Sequence, residues 1–378
     1  MIQLTIDGKT VEVQQGTTVI EAGLANGIDI PHICYHPELS VTGACRLCLV
    51  EVEGSAHAVP GCGLAAQNGM VIHTQSENLY RLRHNILEML VANHPLDCMT
   101  CDKAGSCALQ KYAYEYGVGR PHFAYDLPRT LYQKDNPFFV RDHQFCIMCG
   151  KCVRVCDEVV GASAITITGR GFHSHIATPF DGPMIDSSCV FCGSCVQVCP
   201  TAALMPVSRL DKGREWELER KQTVCGYCGV GCTVEYAMID GEVVYAQGAP
   251  GDTVNGEMLC TKGRYGWDFA THKERLTSPM LRRDLAHQLG LIDEAWELPQ
   301  QSVLADRKPD INKSHVPVDW DTALDLVGER LAAVVKESGS DAVMGLTSAR
   351  CTNEENYVFQ KFMRAAIGTN NLDHCARL

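Results

Sequence analysis

Cysteine is the residue type in this sequence whose number and spacing could support chemistry. The 378 residues include 21 cysteines, and all but Cys351 and Cys375 fall into tight groups. Residues 1–7 lack a basic region followed by an apolar run, so we expect an unexported, cytoplasmic chain. In that compartment so many thiols are more often metal ligands than disulfides, and groups of four thiolates favour soft metals or iron–sulfur clusters. The two remaining cysteines are predicted to be small buried residues.

The first group has the spacing C-x10-C-x2-C-x13-C. It consists of Cys34, Cys45, Cys48 and Cys62. This spacing approximates the plant-type 2Fe–2S arrangement, with a longer first gap. A zinc site would favour two C-x2-C pairs, and a Rieske centre would need a second Cys-His pair besides the one that His36 completes. We therefore predict a 2Fe–2S cluster here and a structural or surface role for His36.

The second group combines a histidine with three cysteines in the spacing H-x3-C-x2-C-x5-C. Its members are His94, Cys98, Cys101 and Cys107. The three cysteines have no fourth cysteine nearby, so we predict that His94 completes a 4Fe–4S site. Imidazole brings no negative charge, which would raise the potential of such a cluster. A zinc site with three cysteine ligands and one histidine ligand is the alternative.

The third and fourth groups form an internal repeat with C-x2-C-x2-C-x3-C spacing. The first run is Cys146, Cys149, Cys152 and Cys156, and the second is Cys189, Cys192, Cys195 and Cys199. This is the bacterial two-cluster ferredoxin pattern, in which each fourth cysteine serves the other cluster. One 4Fe–4S cluster is therefore predicted to use Cys199 with the first three cysteines of the first run. The other is predicted to use Cys156 with the first three of the second run.

The last group has the spacing C-x2-C-x3-C-x27-C, and we predict a fourth 4Fe–4S cluster on it. Its members are Cys225, Cys228, Cys232 and Cys260. The glycines among them, Gly226, Gly229 and Gly231, suggest a nucleotide-binding loop, but no strand–turn–helix pattern surrounds them. They more simply let the backbone fold tightly around a metal centre. A zinc ribbon is the alternative on spacing alone.

Composition excludes some other functions. Apolar residues make up 46% of the chain, enough for packed cores, and no stretch reaches the roughly 18 apolar residues of a membrane span. The formal net charge of −12 argues against nucleic acid as a partner.

Recognisable elements surround the first cysteine groups. Asp7-Gly8 separates two alternating apolar runs, which predicts a hairpin, and Thr18 with Glu21 predicts a capping box that opens a helix through Leu24. Hairpin, helix and cysteine loop together resemble the β-grasp fold of plant-type ferredoxins. Residues 79–93 are predicted to be helical, with an apolar face that includes Leu82, Ile86, Leu87 and Leu90. Residues 120–137 hold three prolines and are predicted to be a linker.

The C-terminal part has a different pattern. Residues 207–220 are highly charged and predict a connector or exposed helix, and a new cysteine domain begins near Lys221. After Asp321 an apolar helical face predicts a helix, residues 342–346 predict a buried strand, and Asn353 is predicted to cap another helix. That helical face consists of Leu324, Val327, Leu331 and Val334. Helix–strand–helix indicates the start of an α/β domain.

These motifs resemble known oxidoreductase families. The first three cysteine domains resemble the N-terminal part of the large Fe–S subunit of respiratory complex I and of NAD-reducing hydrogenases. The last quartet, which ends in Cys260-Thr261-Lys262-Gly263, resembles the opening domain of the molybdenum or tungsten bis-pterin oxidoreductases. In that family a lysine between cluster and pterin relays electrons, and Lys262 matches it; a solvated surface lysine is the alternative.

The tail is similar to cytoplasmic formate dehydrogenase catalytic subunits. The resemblance rests on residues 351–357 and 368–378, the latter ending in Ala-Arg-Leu. The family places its metal-ligating selenocysteine or cysteine directly after these three residues, so the catalytic ligand is expected immediately after Leu378, and Cys375 is not that ligand. A selenocysteine codon read as a stop would explain this ending, and the chain as printed is expected to be inactive alone.

The predicted fold class is therefore multidomain α+β. It comprises a 2Fe–2S β-grasp domain (1–78), a 4Fe–4S domain with one histidine and three cysteine ligands (79–119), a two-cluster ferredoxin-type domain (138–208), a 4Fe–4S molybdopterin-oxidoreductase opening domain (218–275) and a truncated α/β start (276–378).

The resemblance implies an NAD(P)-linked formate dehydrogenase or CO2 reductase, with molybdenum or tungsten on bis-molybdopterin guanine dinucleotide in the full-length protein. Electrons would pass by Lys262 to the Cys225 cluster and the ferredoxin pair. From there they could reach the His94 and Cys34 clusters and leave to a flavin- and NAD(P)-binding subunit, or to a ferredoxin or hydrogenase partner. One alternative is a complex I-like Fe–S subunit with no chemistry of its own. Another is an iron-only hydrogenase, but its cluster motifs are absent where Cys225 to Cys260 stand.

Overall fold

The computed structural model describes residues 1–122, 132–251, 253–294 and 311–375. The chain falls into two units, Met1–Val224 with Cys232–Trp267, and Cys225–Gly231 with Asp268–Leu378. Within the described residues, no helix has both the length and the apolar character needed to cross a bilayer.

The chain opens with the predicted hairpin. Strands β1 (Ile2–Ile6) and β2 (Lys9–Val13) pair antiparallel, with Ile6 opposite Lys9. The two turn residues, Asp7 and Gly8, have φ angles of 50° and 80°. A type I′ turn requires positive φ at both central residues, and Asp-Gly is a favoured pair for it. The hairpin prediction is confirmed.

The predicted capping box is also present. Helix α1 (Val19–Ala25) begins after Thr18, whose backbone N–H donates to the Glu21 carboxylate at 2.7 Å, and it ends one residue beyond Leu24. Strands β3 (Leu49–Val52), β4 (Val59–Pro60) and β5 (Val71–His73) complete a five-stranded sheet in the order β2-β1-β5-β3-β4. Strand β1 runs parallel to β5, so the sheet is mixed, and α1 shares its buried core, in agreement with the predicted β-grasp fold.

Two helices carry the second cysteine group. Helix α2 (Glu77–Ala92) starts two residues before the predicted position because Ser76 caps it, and α3 (Ala108–Glu115) follows Cys107. The fully buried row of α2 contains Leu79, Arg83, Leu87 and Val91, whereas the other predicted face residues are only half-buried. A charged side chain thus occupies the middle of the buried face.

The cysteine repeat folds into short elements. The helices are α4 (Lys151–Arg154) and α5 (Ser194–Gln197), and the strands are β6 (Tyr132–Gln133), β7 (Phe139–Asp142), β8 (Thr166–Thr168), β9 (His175–Ala177) and β10 (Leu204–Pro206). One sheet has the order β10-β7-β6, and β8 and β9 form a separate hairpin. Of the predicted linker 120–137, residues 123–131 lie outside the described residues, and β6 occupies part of its end.

The charged stretch 207–220 forms a connector, the first of the two predicted alternatives, rather than an exposed helix. It forms two short 3-10 turns, Val207–Arg209 and Glu215–Glu217, before β11 (Glu219–Val224) begins. Arg209 is only 2% exposed, because its guanidinium donates to the carbonyls of Gly213 and Asp102. Strands β12 (Thr233–Ile239) and β13 (Glu242–Gly248) complete an antiparallel sheet, and α6 (Thr261–Tyr265) follows Cys260.

The second unit contains the predicted helix–strand–helix. Its helices are α7 (Arg283–Gln288), α8 (Ile311–Ser314), α9 (Trp320–Ser338) and α10 (Asn353–Phe362), and its strands are β14 (Met280–Arg282), β15 (His315–Pro317), β16 (Gly345–Ser348) and β17 (Leu372–Cys375). Strands β16 and β17 pair in parallel.

Three details of that prediction were wrong. Strand β16 starts three residues later than predicted, and Leu346 within it is 70% exposed because the described sheet has only two strands. Thr352, rather than Asn353, caps α10, in a capping box with Glu355. Cys351 is half-buried rather than fully buried.

Candidate iron–sulfur sites

The structure brings the four cysteines of the first group together in the N-terminal domain. All four are buried, with exposures of 1–6%. The Cys45 backbone N–H donates to the Cys34 sulfur at 3.4 Å, and a hydrogen bond from Cys45 lowers the pKa of Cys34 to about 5. A side-chain hydrogen bond with Cys48 likewise lowers the pKa of Cys62. Four adjacent, buried sulfur atoms fit the ligand set of a 2Fe–2S cluster.

Arg83 holds the loop of this site against α2, a role that sequence analysis missed. Its guanidinium donates to the carbonyls of Leu47 and Leu49 at 3.1 and 2.6 Å, and to the hydroxyl of Tyr116 at 3.1 Å. Leu47 lies between two of the cysteines, so the arginine supports their loop directly. The signal in the sequence was an arginine four residues from both Leu79 and Leu87, in the middle of an apolar helical row.

The second group surrounds the turn between α2 and α3. Burial raises the pKa of Cys101 and Cys107, and the neighbouring thiols raise them further. His94 lies just after α2, and its ring packs edge-on against Phe145 with centroids 5.4 Å apart. Arg214 donates to the carbonyl of Cys101 at 3.0 Å and supports this loop from outside.

We expect His94→Cys to keep the cluster of this group and to lower its potential. Thiolate adds a negative charge that disfavours reduction, and a fall on the order of 100 mV or more follows from the difference between histidine- and cysteine-ligated clusters. The measurement is a redox titration followed by electron paramagnetic resonance (EPR). His36→Ala is the matched control, because His36 lies beside Cys34 but pairs with Glu257 at 3.7 Å. An unchanged potential in His94→Cys would show that His94 is not a ligand.

Cysteines from both halves of the repeat line one cavity. Cys146, Cys149, Cys152 and Cys199 all line one pocket, together with Cys195 of the second run and apolar side chains that include Ile165 and Leu204. Thr201 helps to fix this arrangement, because its hydroxyl donates to the Phe145 carbonyl at 2.7 Å and ties the segment after Cys199 to the residue before Cys146. Four of these thiols fit the ligand set of one 4Fe–4S cluster, and the two-cluster pattern assigns the fifth, Cys195, to the other cluster.

The complementary set lies around the start of α5. Cys156, Cys189 and Cys195 pack against one buried cluster. Burial raises the pKa of Cys189 and Cys195, and the thiols of Cys156 and Cys192 raise both pKa values further. Cys156 lies in a π-helical turn, and its sulfur accepts from the Ala164 N–H at 3.3 Å. N–H···S bonds of this kind tune cluster potentials.

Burial also determines the protonation state of these thiols before metal binds. The pKa of Cys149 is raised to about 12 by burial, so its thiol is neutral near pH 7 and must lose a proton to bind iron. Among the described residues, no three His, Cys, Asp or Glu side chains are arranged as ligands to one metal ion. A cluster differs from one ion, because its four cysteines stand around a body of several iron and sulfide atoms.

Helix α6 packs directly on the second cysteine run. Arg264 is 3% exposed, and its Nε donates to the Cys192 carbonyl at 2.9 Å. Tyr265 stacks on Phe138 with centroids 4.8 Å apart. Gly193, with φ of 72°, makes this approach possible, because a β-carbon there would overlap both Arg264 and Tyr265.

The last cysteine group is shared between the two units. Cys232 and Cys260 belong to the first unit, and Cys225 and Cys228 belong to the second, so their ligation of one cluster stays a prediction. Lys262 is exposed on α6, two residues after Cys260. Its predicted role as an electron relay also stays a prediction.

Five family descriptions match consecutive parts of the chain. They are a 2Fe-2S iron-sulfur cluster binding domain (residues 1–77), the NADH-ubiquinone oxidoreductase-G iron-sulfur binding region (83–122), a 4Fe-4S dicluster domain (145–203), the molybdopterin oxidoreductase Fe4S4 domain (218–272) and molybdopterin oxidoreductase (275–378). Fe–S domains followed by a molybdopterin-oxidoreductase opening domain agree with the predicted fold class.

Curated relatives align with the whole chain. The NADPH-Fe(3+) oxidoreductase subunit alpha of Geobacter sulfurreducens is 37% identical, and the G 2 subunit of the NADH-quinone oxidoreductase of Rhizobium meliloti is 38% identical. The putative formate dehydrogenase YrhE of Bacillus subtilis is 30% identical. Each alignment covers 100% of this chain and 40% of the relative, so the chain spans about two fifths of their length.

A solved structure supports the Fe–S part of the comparison. A chain of an NAD+-reducing [NiFe]-hydrogenase in the H2-reduced state is 35% identical, with a TM-score of 0.53. The match covers 56% of this chain and 90% of that chain.

Proposed function

We infer the function of this chain from its family: it belongs to the molybdopterin oxidoreductases that carry Fe–S domains similar to those of the G subunit of NADH-quinone oxidoreductase. We propose that it is the electron-transfer portion of a formate dehydrogenase or CO2 reductase. In this proposal it passes electrons between a molybdenum or tungsten bis-pterin site and a flavin- and NAD(P)-binding subunit, or a ferredoxin partner.

The observation that carries the proposal is the cavity shared by the two cysteine runs. Its five thiols come from segments about fifty residues apart and face mostly apolar walls, which keep water away and leave sulfur as the principal ligand. Cluster binding to these thiols would also stabilise the fold, because the complete ligand set exists only in the folded chain.

We propose five cluster sites on this basis. The ligands would be Cys34, Cys45, Cys48 and Cys62 for the 2Fe–2S cluster, and for the 4Fe–4S clusters His94 with Cys98, Cys101 and Cys107; Cys146, Cys149 and Cys152 with Cys199; Cys189, Cys192 and Cys195 with Cys156; and Cys225, Cys228 and Cys232 with Cys260. Clusters bound there would serve as one-electron carriers. The protein would fix their spacing and exclude water.

Contacts in the first unit hold neighbouring sites close together. The Ala108 N–H donates to the Pro200 carbonyl at 3.0 Å, which joins the residues next to Cys107 and Cys199. Phe145 directly precedes Cys146 in the chain, and its ring packs against the His94 ring. This contact joins the second cysteine group to the first run of the repeat. Thr261, next to Cys260, donates to the Val190 carbonyl at 2.7 Å beside the second cysteine run. These contacts support a continuous path for electrons.

The comparisons support two alternative functions, formate chemistry and electron relay alone. Similarity to the putative formate dehydrogenase of Bacillus subtilis supports formate, and the similarity of the tail to formate dehydrogenases supports it too, although residues 376–378 lie outside the described residues. The Geobacter and Rhizobium relatives support a complex I-like subunit that only relays electrons from NADH or NADPH.

We expect formate to reduce the clusters of the full-length protein, purified anaerobically with bound molybdenum or tungsten. The measurement is bleaching of visible absorbance and the appearance of EPR signals after formate is added. Lys262→Met is expected to slow this reduction at least tenfold while reduction by dithionite stays normal, because only the formate route needs the relay. Lys273→Met is the matched control, since Lys273 is also an exposed lysine but lies away from the cysteine motif.

The complex I-like alternative predicts the opposite result. The purified protein would then contain no molybdenum or tungsten, and formate would not reduce its clusters. NAD(P)H would reduce them through a flavin subunit. This combination would refute the formate proposal.

A further inference from the structure

The long first gap of the 2Fe–2S motif has a structural use. Ten residues separate Cys34 from Cys45, whereas plant-type ferredoxins have four between the corresponding cysteines. The extra length forms a loop that meets the ferredoxin-type domain. Leu39, in this loop, packs in a buried cluster with Val155 and Val198.

Arg154 and Glu158 hold the loop in place through hydrogen bonds with Ser40. The Arg154 guanidinium donates to the Ser40 carbonyl at 2.5 Å, and the Glu158 carboxylate accepts from the Ser40 N–H at 2.7 Å and from its hydroxyl at 2.5 Å. Three hydrogen bonds from two charged groups therefore fix one residue of the loop. Charge-assisted bonds are stronger than neutral ones.

The same guanidinium contacts a ligand residue of each of two sites. It donates to the Cys34 carbonyl at 2.7 Å and to the Cys149 carbonyl at 3.4 Å. Cys149 also packs against the buried core that contains Cys34 and Cys45. One side chain thus spans the junction of the 2Fe–2S site and the neighbouring 4Fe–4S site.

Stability alone does not account for an arginine at this junction. Arg154 is only 7% exposed, and its Nε has no hydrogen-bond partner among the described residues. A buried cation carries a large desolvation cost, and an apolar side chain of similar size is often neutral or more stable in such a position. A positive charge next to both sites does, however, favour the reduced, more negative form of a cluster.

We propose that Arg154 is a positioning residue for electron transfer between the Cys34 cluster and the Cys149 cluster. It holds the two ligand loops at a fixed separation, and its charge raises the potential of both clusters. One electron leaves one cluster and enters the other, with no bond formed or broken and no proton transferred. The inference rests on the proposed function, because it requires clusters on both cysteine groups.

The test compares three variants of the cluster-loaded protein by EPR redox titration and by the magnetic coupling between the two reduced clusters. Arg154→Met is expected to lower the reduction equilibrium constant of the 2Fe–2S cluster at least tenfold, a shift of about 59 mV for a one-electron couple. The signal from magnetic coupling between the two reduced clusters should also broaden in Arg154→Met, because the loop between Cys34 and Cys45 is no longer fixed. Arg154→Lys keeps the charge but lacks the planar fork, so its potential should shift less than threefold in equilibrium constant while its coupling broadens.

Arg209→Met is the matched control. Arg209 is equally buried and also donates to two backbone carbonyls, but it does not contact the 2Fe–2S loop. It should leave the 2Fe–2S potential and the coupling unchanged.

Normal potential and normal coupling in Arg154→Met would overturn the proposal. If that variant loses its clusters, Arg154→Lys decides: a sharp, normal coupling signal in it would overturn the positioning role. A wild-type protein without a 2Fe–2S signal would instead refute the proposed function, so the two failures are distinguishable.

Discussion

The double variant Cys146→Ala/Cys199→Ala is expected to lose one cluster, whereas Cys189→Ala/Cys199→Ala is expected to lose two. The reconstituted wild-type protein should hold about 18 iron atoms per chain, two in one cluster and four in each of the others. The first double variant should then lack about four iron atoms and the second about eight. The reason is that Cys199 lines the same cavity as Cys146, although it belongs to the run of Cys189 in the sequence.

Iron content and EPR spin counts after anaerobic reconstitution and gel filtration measure this effect. Cys351→Ala is the control, because Cys351 belongs to no cysteine group and should leave the iron content unchanged. If each run served its own cluster, the losses would be reversed, with about eight atoms missing from the first double variant and about four from the second. Zinc in place of iron in the wild-type protein would contradict the cluster assignment itself.

The second large effect is expected from Gly193→Ala. At φ of 72° an alanine is strained by about 1–2 kcal/mol, and the new methyl group would overlap Arg264 and Tyr265 at a further cost of about 1–3 kcal/mol. We therefore expect a loss of about 2–5 kcal/mol in the free energy of unfolding, with early loss of the cluster of the second run. Chemical denaturation under anaerobic conditions, followed by circular dichroism and visible absorbance, measures both.

Gly150→Ala is the matched variant in the first run. Gly150 has φ of 70° and also precedes a short helix, but a β-carbon there would meet nothing within 4 Å. The Gly150→Ala variant should lose only about 1–2 kcal/mol in the free energy of unfolding, from backbone strain alone. Equal losses in the two variants would show that α6 does not pack on Gly193 in solution.

Local features could be predicted because they depend on neighbours in the sequence. Asp7-Gly8 determines a turn through its own backbone preferences, and the Thr18–Glu21 capping box joins groups three residues apart. The helix in residues 77–92 followed from its apolar period for the same reason. The prediction failed where long-range packing decides, as at Leu346, whose strand has a partner on one side only among the described residues.

The ligand types, the grouping of the cysteines and the order of the domains could all be predicted from the residue pattern, because thiolate spacing reflects the reach of a short loop around a metal centre. The exchange of the fourth cysteines between the two runs was predicted in the same way, whereas the arginines that support the loops were found only in the folded chain. Arg83, Arg154 and Arg264 all look like ordinary charged residues in the sequence. Each is buried because it donates to backbone carbonyls on distant segments, and carbonyl groups leave no pattern in side-chain identity from which those partners could be read.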